Sequence, residues 1–315
     1  MAPTVFYGIQ PGPYWDWRIA ADLFFGGAGV GAFLFAVALH AAFKGRYRRI
    51  TQTAAWLAPI LVVLGLSFLF FELGRPFHLF LTFKSFAPTS PLWWGGIFQT
   101  LFVAGSIWYA VKWRTTEPDI DRRLLGWTMT FVAVIVGAYH GFLLAVITAR
   151  PLWNTGPTVV AALLGFATTG IAAVMLTHLI RMKLAGRLRL NEHLAAFLTD
   201  MKPVRNVLGA MLVLQLVTFF LWWLSLQFGS LQDKQALAAA NASLGPLFWW
   251  AGIGLGLVVP LLLGGYVVMQ EESSHRGLQL SMIALTSFLI LIGGFFFRLA
   301  VVLGGQVSLP VPTLS

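Results

Sequence analysis

Apolar residues run through the chain in long blocks separated by short polar segments. The blocks fall at 18–43, 53–73, 92–113, 124–148, 157–181, 203–228, 246–269 and 278–303. A helix needs about 20 apolar residues to cross the hydrocarbon core of a bilayer. Within that core every backbone polar group must be satisfied internally, which a helix does by itself. The pattern predicts an all-α integral membrane protein with eight transmembrane helices.

Composition narrows the class. Of 315 residues, 58% are hydrophobic and 10% are charged, against about 25% charged in an ordinary soluble domain. Mean hydropathy is +0.80. Such a chain has too little polar surface to cover itself in water, which excludes a cytosolic enzyme, a DNA-binding module and a disordered chain. The net charge of +10 sits in short runs between apolar blocks and not on a solvated basic face, so nucleic acid is not an expected partner. Those runs set orientation instead. Lys44, Arg46, Arg48 and Arg49, the 3–4 and 5–6 loops and Arg276 place fifteen of the 21 Lys and Arg residues on one side. The positive-inside rule then puts both termini outside. Trp15, Trp17, Trp93, Trp94, Trp153, Trp249 and Trp250 fall near outer helix ends, where an indole has one apolar face and one wet edge. The start, Met1-Ala2-Pro3-Thr4, lacks a basic n-region, so no cleavable signal peptide is expected. There is no cysteine, so any iron–sulfur cluster belongs to a partner.

A weak internal repeat is visible. Span 3 opens Pro91-Leu-Trp-Trp-Gly-Gly-Ile97, and span 7 opens Pro246-Leu-Phe-Trp-Trp-Ala-Gly-Ile253. Four spans per unit makes the halves parallel repeats. Pro-aromatic starts common at interfaces are the plainer explanation. Gly27 with Gly31 and Gly252 with Gly256 form small-xxx-small pairs, which let helix backbones approach closely.

Ionisable groups inside a span are costly and so mark candidate sites. Of the 11 acidic residues, Asp22 and Glu72 lie within spans, both toward the outer face. Glu72 and Arg75 are three residues apart and can pair on one helix face. Span 4 carries Tyr139 and His140, and span 8 carries Arg298. A carboxylate, a phenol, an imidazole and arginines in one leaflet suit a quinone head, which needs two donors for its carbonyls and a titratable group for its protons. The bland reading makes Glu72–Arg75 a helix-end ion pair, pairs Asp22 with Arg18, and leaves His140 a satisfied interior histidine.

Four histidines call for a separate test. His40 and His178 lie at inner helix ends, and His78 and His140 on the outer side. Two pairs at two depths suit a two-haem cytochrome, yet His78 follows a proline in a loop and the inner pair adjoins basic loops. No haem and no other metal site is expected in this protein. The apolar 74–91 loop and the aromatic segment 1–17 suit either the membrane interface or an external partner.

Several motifs carry a resemblance. They are Asp22-Leu-Phe-Phe-Gly-Gly-Ala-Gly-Val-Gly in span 1, Glu72-Leu-Gly-Arg-Pro76 at the end of span 2, Ser90-Pro-Leu-Trp-Trp-Gly95 and Tyr139-His-Gly-Phe-Leu-Leu followed by Ala149-Arg-Pro-Leu-Trp-Asn-Thr155. Gly293-Gly-Phe-Phe-Phe-Arg298 and Gly304-Gly-Gln306 complete the set. In order and spacing the sequence resembles the polysulfide-reductase membrane-subunit (NrfD/PsrC-like) family over nearly its whole length. The resemblance implies two four-helix bundles, here 1–155 and 156–315, in the inner (cytoplasmic) membrane. It implies a menaquinone or ubiquinone site on the outer, periplasmic side of the first bundle. The candidate residues are Asp22, Glu72, Arg75, Tyr139 and His140. It also implies a ferredoxin-like iron–sulfur subunit, usually with a molybdopterin catalytic subunit, on the outer face. The terminal substrate site then lies on another subunit.

The expected function is quinol-coupled electron transfer as the membrane anchor of an oxidoreductase. Two other readings stand beside it: a secondary transporter or proton channel, which the repeat and the intramembrane acids suit, and a purely structural anchor. A transporter places polar groups at the midplane and continues them to both faces. Here they gather outside, although Thr168 and Thr169 in span 5 are residues a proton route uses.

Overall fold

The computed structural model describes residues 15–43, 46–72, 86–87, 89–114, 119–187, 191–269 and 276–307. All regular structure among them is helical. The helices are α1 (Trp17–Phe43), α2 (Arg48–Glu72), α3 (Pro91–Lys112), α4 (Asp119–Ala145), α5 (Thr158–Leu184) and α6 (Asn191–Gln227). A continuous run follows, made of α7 (Leu231–Gly245), a π-helical stretch (Pro246–Val258) and α8 (Val259–Met269), and α9 (Arg276–Gly304) closes the order.

Seven helical segments among the described residues are long and apolar enough to cross a membrane. The helix in the place of the third expected span, α3, is 22 residues long but falls outside those seven. Its tryptophans, tyrosine, glycines and Gln99 lower its hydropathy without adding an acidic group. The run Leu231–Met269 is longer than the seventh expected block because α7 precedes it. Ser230 starts α7 with a capping box: its hydroxyl accepts from the Asp233 amide, and Asp233 accepts from the Ser230 amide.

Helices α1 to α4 contact one another in a ring, α1 to α2 to α3 to α4 and back to α1. Helices α5 and α6, the Leu231–Met269 run and α9 form a second ring. Between the two, α1 packs against α5 and α9, and α4 against α5. Small residues set the closest crossings. A Cβ on Gly31 would overlap the Phe166 carbonyl, and one on Gly170 would overlap the α1 backbone at Gly31 and Ala32. The Gly27/Gly31 pair thus brings α5 against α1. Gly256 does the same for the π-helical stretch against Gly293 of α9. Phe33, Phe102 and Tyr109 fill the first ring's core with edge-to-face contacts.

The two described ends of the protein meet. The Trp15 amide donates to Gln306 Oε1 at 2.9 Å, and Gln306 Nε2 donates back to the Trp15 carbonyl at 2.8 Å. Trp15 also stacks on Trp153 at 5.2 Å, and Trp153 Nε1 donates to the Val301 carbonyl at 2.7 Å. Asp16 caps α1, its Oδ1 accepting from the Arg18 amide at 2.7 Å. The Arg18 side chain, hydrogen-bonded to Asp16, holds that carboxyl below the usual carboxylate range.

Candidate functional site

Asp22, Tyr139 and His140 come together where α1, α3 and α4 meet. Asp22 lies five positions after the start of α1, and His140 five positions before the end of α4. Both therefore lie roughly 8 Å inside their helix ends. Asp22 and His140 are buried, and Tyr139 is half-buried.

The imidazole has a defined hydrogen-bond arrangement. His140 Nδ1 lies 2.7 Å from the Val136 carbonyl, and Nε2 lies 3.2 Å from Gln99 Nε2. A carbonyl only accepts, so Nδ1 carries the proton and Nε2 offers its lone pair to the Gln99 amide. Gln99 was not among the expected residues. It sits four positions after Gly95 on α3, hence on the same helix face. It is one of the few amides within an apolar span, which is the signal that could have revealed it.

Two glycines shape the space around these groups. A Cβ on Gly95 would overlap the Tyr139 ring at Cζ and Oη, so the phenol lies directly on the α3 backbone. A Cβ on Gly26 would stand 3.5 Å from His140 Nε2 and 3.8 Å from Asp22 Oδ1. The bare glycine therefore borders a gap between imidazole and carboxylate. Asp22 Oδ1 is buried with no hydrogen-bond partner among the described residues. The Tyr139 hydroxyl also lacks a hydrogen bond to any described residue, and it lies within electrostatic reach of Asp22. A buried, unpartnered carboxylate oxygen is costly to maintain.

Glu72 occupies a different position. It ends α2, and its Oε2 lies 2.7 Å from Arg18 Nε. The Nε hydrogen points to Asp16 Oδ2 at 2.9 Å, so the contact to Glu72 is ionic without being a hydrogen bond. Arg18 Nη1 also donates to the Phe71 carbonyl at 3.0 Å. The Asp22–Arg18 pair of the bland reading is therefore not formed. Arg18 reaches toward the helix end, to Asp16 and Glu72, and away from the turn below it. Arg75 lies outside the described residues, as do His78 and most of the 74–91 loop.

A second group of polar side chains lies nearby. Arg298 is buried and donates to the Gly294 carbonyl at 2.8 Å and to Thr169 Oγ1 at 3.4 Å. Its guanidinium lies over the rings of Phe24 and Phe166, 5.4 and 5.1 Å from their centroids. Thr168 Oγ1 donates to Gln215 Oε1 at 2.7 Å. His140, Gln215 and Arg298 line a cavity of about 70 Å³ between α1, α4, α5, α6 and α9. Gln215, like Gln99, is a buried amide in an apolar run. At the other end, His40 Nδ1 lies 3.4 Å from the Tyr109 hydroxyl, and His178 Nδ1 lies 3.1 Å from Thr53 Oγ1.

The sequence is similar to known proteins over nearly its whole length. The family described as "Polysulphide reductase, NrfD" matches residues 8–310. The chain belongs to the NrfD family. It is 30% identical over 285 residues to Protein NrfD of Escherichia coli, covering 80% of this sequence and 85% of that protein. It is 27% identical over 325 residues to the Protein NrfD homolog of Haemophilus influenzae, covering 95% and 96%. It is 26% identical over 315 residues to the C subunit of polysulfide reductase from Wolinella succinogenes, covering 93% and 94%. NrfD membership together with seven apolar helices makes this a multi-pass membrane protein, consistent with a membrane subunit of a reductase complex and with a role in electron transport. The Asp22–Gly31 segment and Tyr139-His140 both fall inside the matched NrfD region.

Proposed function

We propose that this NrfD-family protein is the quinol-reactive membrane subunit of a multi-subunit oxidoreductase. One observation carries the reading: the buried, unpartnered Asp22 oxygen lies across Gly26 from the His140 imidazole that contacts Gln99, with Tyr139 within electrostatic reach of the carboxylate. These residues fit a menaquinone or ubiquinone head, whose quinol form would release two electrons and two protons on oxidation to the quinone. Tyr139 donates a hydrogen bond to one carbonyl oxygen. Gln99 has a further amide hydrogen for the same purpose, and His140 positions it. Asp22 takes and returns protons. The Glu72–Arg18–Asp16 group stands one turn nearer the aqueous face and offers the route out. Its acids lie at the helix end, which suits exchange with water and not direct contact with the head.

The wider architecture follows the same reading. We take α3 as the eighth span, with bundles 1–155 and 156–315. The pairing of Trp15 with Gln306 supports it, because an even number of crossings returns the chain to its starting side. The basic loops mark the inner face of a cytoplasmic membrane and put both termini on the periplasmic side. An iron–sulfur subunit, with a molybdopterin catalytic subunit, docks there and accepts or supplies the electrons. A transport or proton-channel role draws on one observation, the cavity that His140, Gln215 and Arg298 line together with apolar side chains. Asp22, Tyr139, His140 and Gln99 offer the donors and the titratable group that a quinone head needs, so electron transfer is favoured.

Extraction of the protein from its own membranes in mild detergent tests the assignment. The account expects iron and quinone in the same particle, molybdenum with them, and no haem carried by this subunit. A lone subunit with neither iron nor quinone, from membranes whose other complexes stay intact, overturns it.

A further inference from the structure

A second pocket lies at the opposite end of the helices, among the loops rich in Lys and Arg. It encloses about 490 Å³ between the α1–α2 turn, the end of α5 and the start of α6. Four guanidiniums line it, those of Arg46, Arg48, Arg49 and Arg187, against one carboxylate, Asp200. All four arginines are exposed, and none forms an ion pair with a described carboxylate. The inner wall is of another kind. Tyr47, Ile50, Phe197 and Met201 are buried there, and the buried His178 stacks on Phe197 at 5.8 Å. Thr53 braces this wall, with Arg181 Nη1 3.0 Å and His178 Nδ1 3.1 Å from its hydroxyl.

We infer that this pocket binds the headgroup of an anionic phospholipid, a phosphodiester such as phosphatidylglycerol or cardiolipin. Guanidinium forks match phosphate oxygens in geometry and hold their charge at any physiological pH. Basic pockets between helices at a membrane surface are suited to such headgroups. The volume far exceeds one inorganic phosphate and suits a headgroup with its glycerol. The apolar wall meets the part of the ligand that a free anion lacks. Just outside, Ile180 and Leu184 on α5 are exposed, 47% and 83%, as a surface facing acyl chains is. The polar groups of the quinone reading lie at the other end of the helices, so this inference stands independently of it.

The test uses the full-length protein in its native complex, delipidated in a zwitterionic detergent. Native mass spectrometry then follows titration with dioleoyl phosphatidylglycerol, cardiolipin, dioleoyl phosphatidylcholine or inorganic phosphate. The two anionic lipids bind at defined stoichiometry, and phosphatidylcholine and phosphate do not bind at the same concentrations. Combining Arg46→Gln, Arg49→Gln and Arg187→Gln weakens the anionic lipids on the order of a hundredfold, at about fivefold per arginine. The corresponding Arg→Lys triple keeps most of the affinity, and Arg114→Gln with Lys183→Gln leaves it unchanged. Unaltered affinity in the glutamine triple overturns the site, and so does phosphate that binds as well as lipid. If the triple fails to assemble, a photoactivatable phosphatidylglycerol on the unaltered complex decides. Label in Ile50 or Phe197–Met201 supports the site, and label confined elsewhere overturns it.

Discussion

Asp22→Asn leaves the complex assembled and lowers quinol turnover by about two to four orders of magnitude, the range expected when a general acid–base group is lost. Asparagine keeps the shape of the side chain and the packing of α1, so nothing in the α1–α5 crossing at Gly31 changes. What is lost is a group that can bind and release a proton. Among the described residues Asp22 is the buried carboxylate, with Oδ1 unpartnered beside His140 and the Tyr139 hydroxyl. The measurement is quinol oxidation by the purified complex, with subunit stoichiometry read from the same preparation. Full turnover in an assembled Asp22→Asn complex removes Asp22 from the proton pathway and passes that role to the acids at the helix end.

Tyr139→Phe has the second largest expected effect. Phenylalanine fills the same place over Gly95, so the ring still lies on the α3 backbone and only the hydroxyl disappears. Losing a hydrogen bond made inside a site costs about 1–3 kcal/mol. That corresponds to a fall of about fivefold to 150-fold in kcat/KM for quinol. A parallel Gly95→Ala change, which puts a methyl into the Tyr139 ring, produces a similar loss by displacing the phenol while keeping its hydroxyl. If Tyr139 only packs, the phenylalanine variant is unimpaired and the alanine variant is not. Steady-state kinetics on the two variants separates these cases.

The helices were legible because their apolar blocks match the thickness of a bilayer, and seven of them meet that requirement in the structure. The third expected span shows the limit of hydropathy: α3, built with tryptophan, tyrosine and glycine, falls outside the seven apolar helices. The π-helical stretch at Pro246–Val258 left no periodic mark in the sequence, since its residues are apolar all round. Within the site, single polar residues in apolar spans pointed to Asp22, Tyr139 and His140, and the structure brings these three together. Partners were harder to read. Spacing along one helix paired Arg18 with Asp22, but the side chain turns the other way and meets Asp16 and, across helices, Glu72. The Gln99–His140 contact joins residues 41 positions apart, which no local pattern contains. The gap bordered by Gly26 is likewise a property of packing, set by α4 lying across α1.

The central claim is that the quinone head sits between α1, α3 and α4. An azidoquinone photolabel on the intact complex, mapped by peptide mass spectrometry, tests it most directly. The account predicts label in the peptides carrying Asp22–Gly26, Gly95–Gln99 and Tyr139–His140, suppressed by excess unlabelled quinone. Specific label confined to α6 and α9, around Gln215 and Arg298, contradicts it.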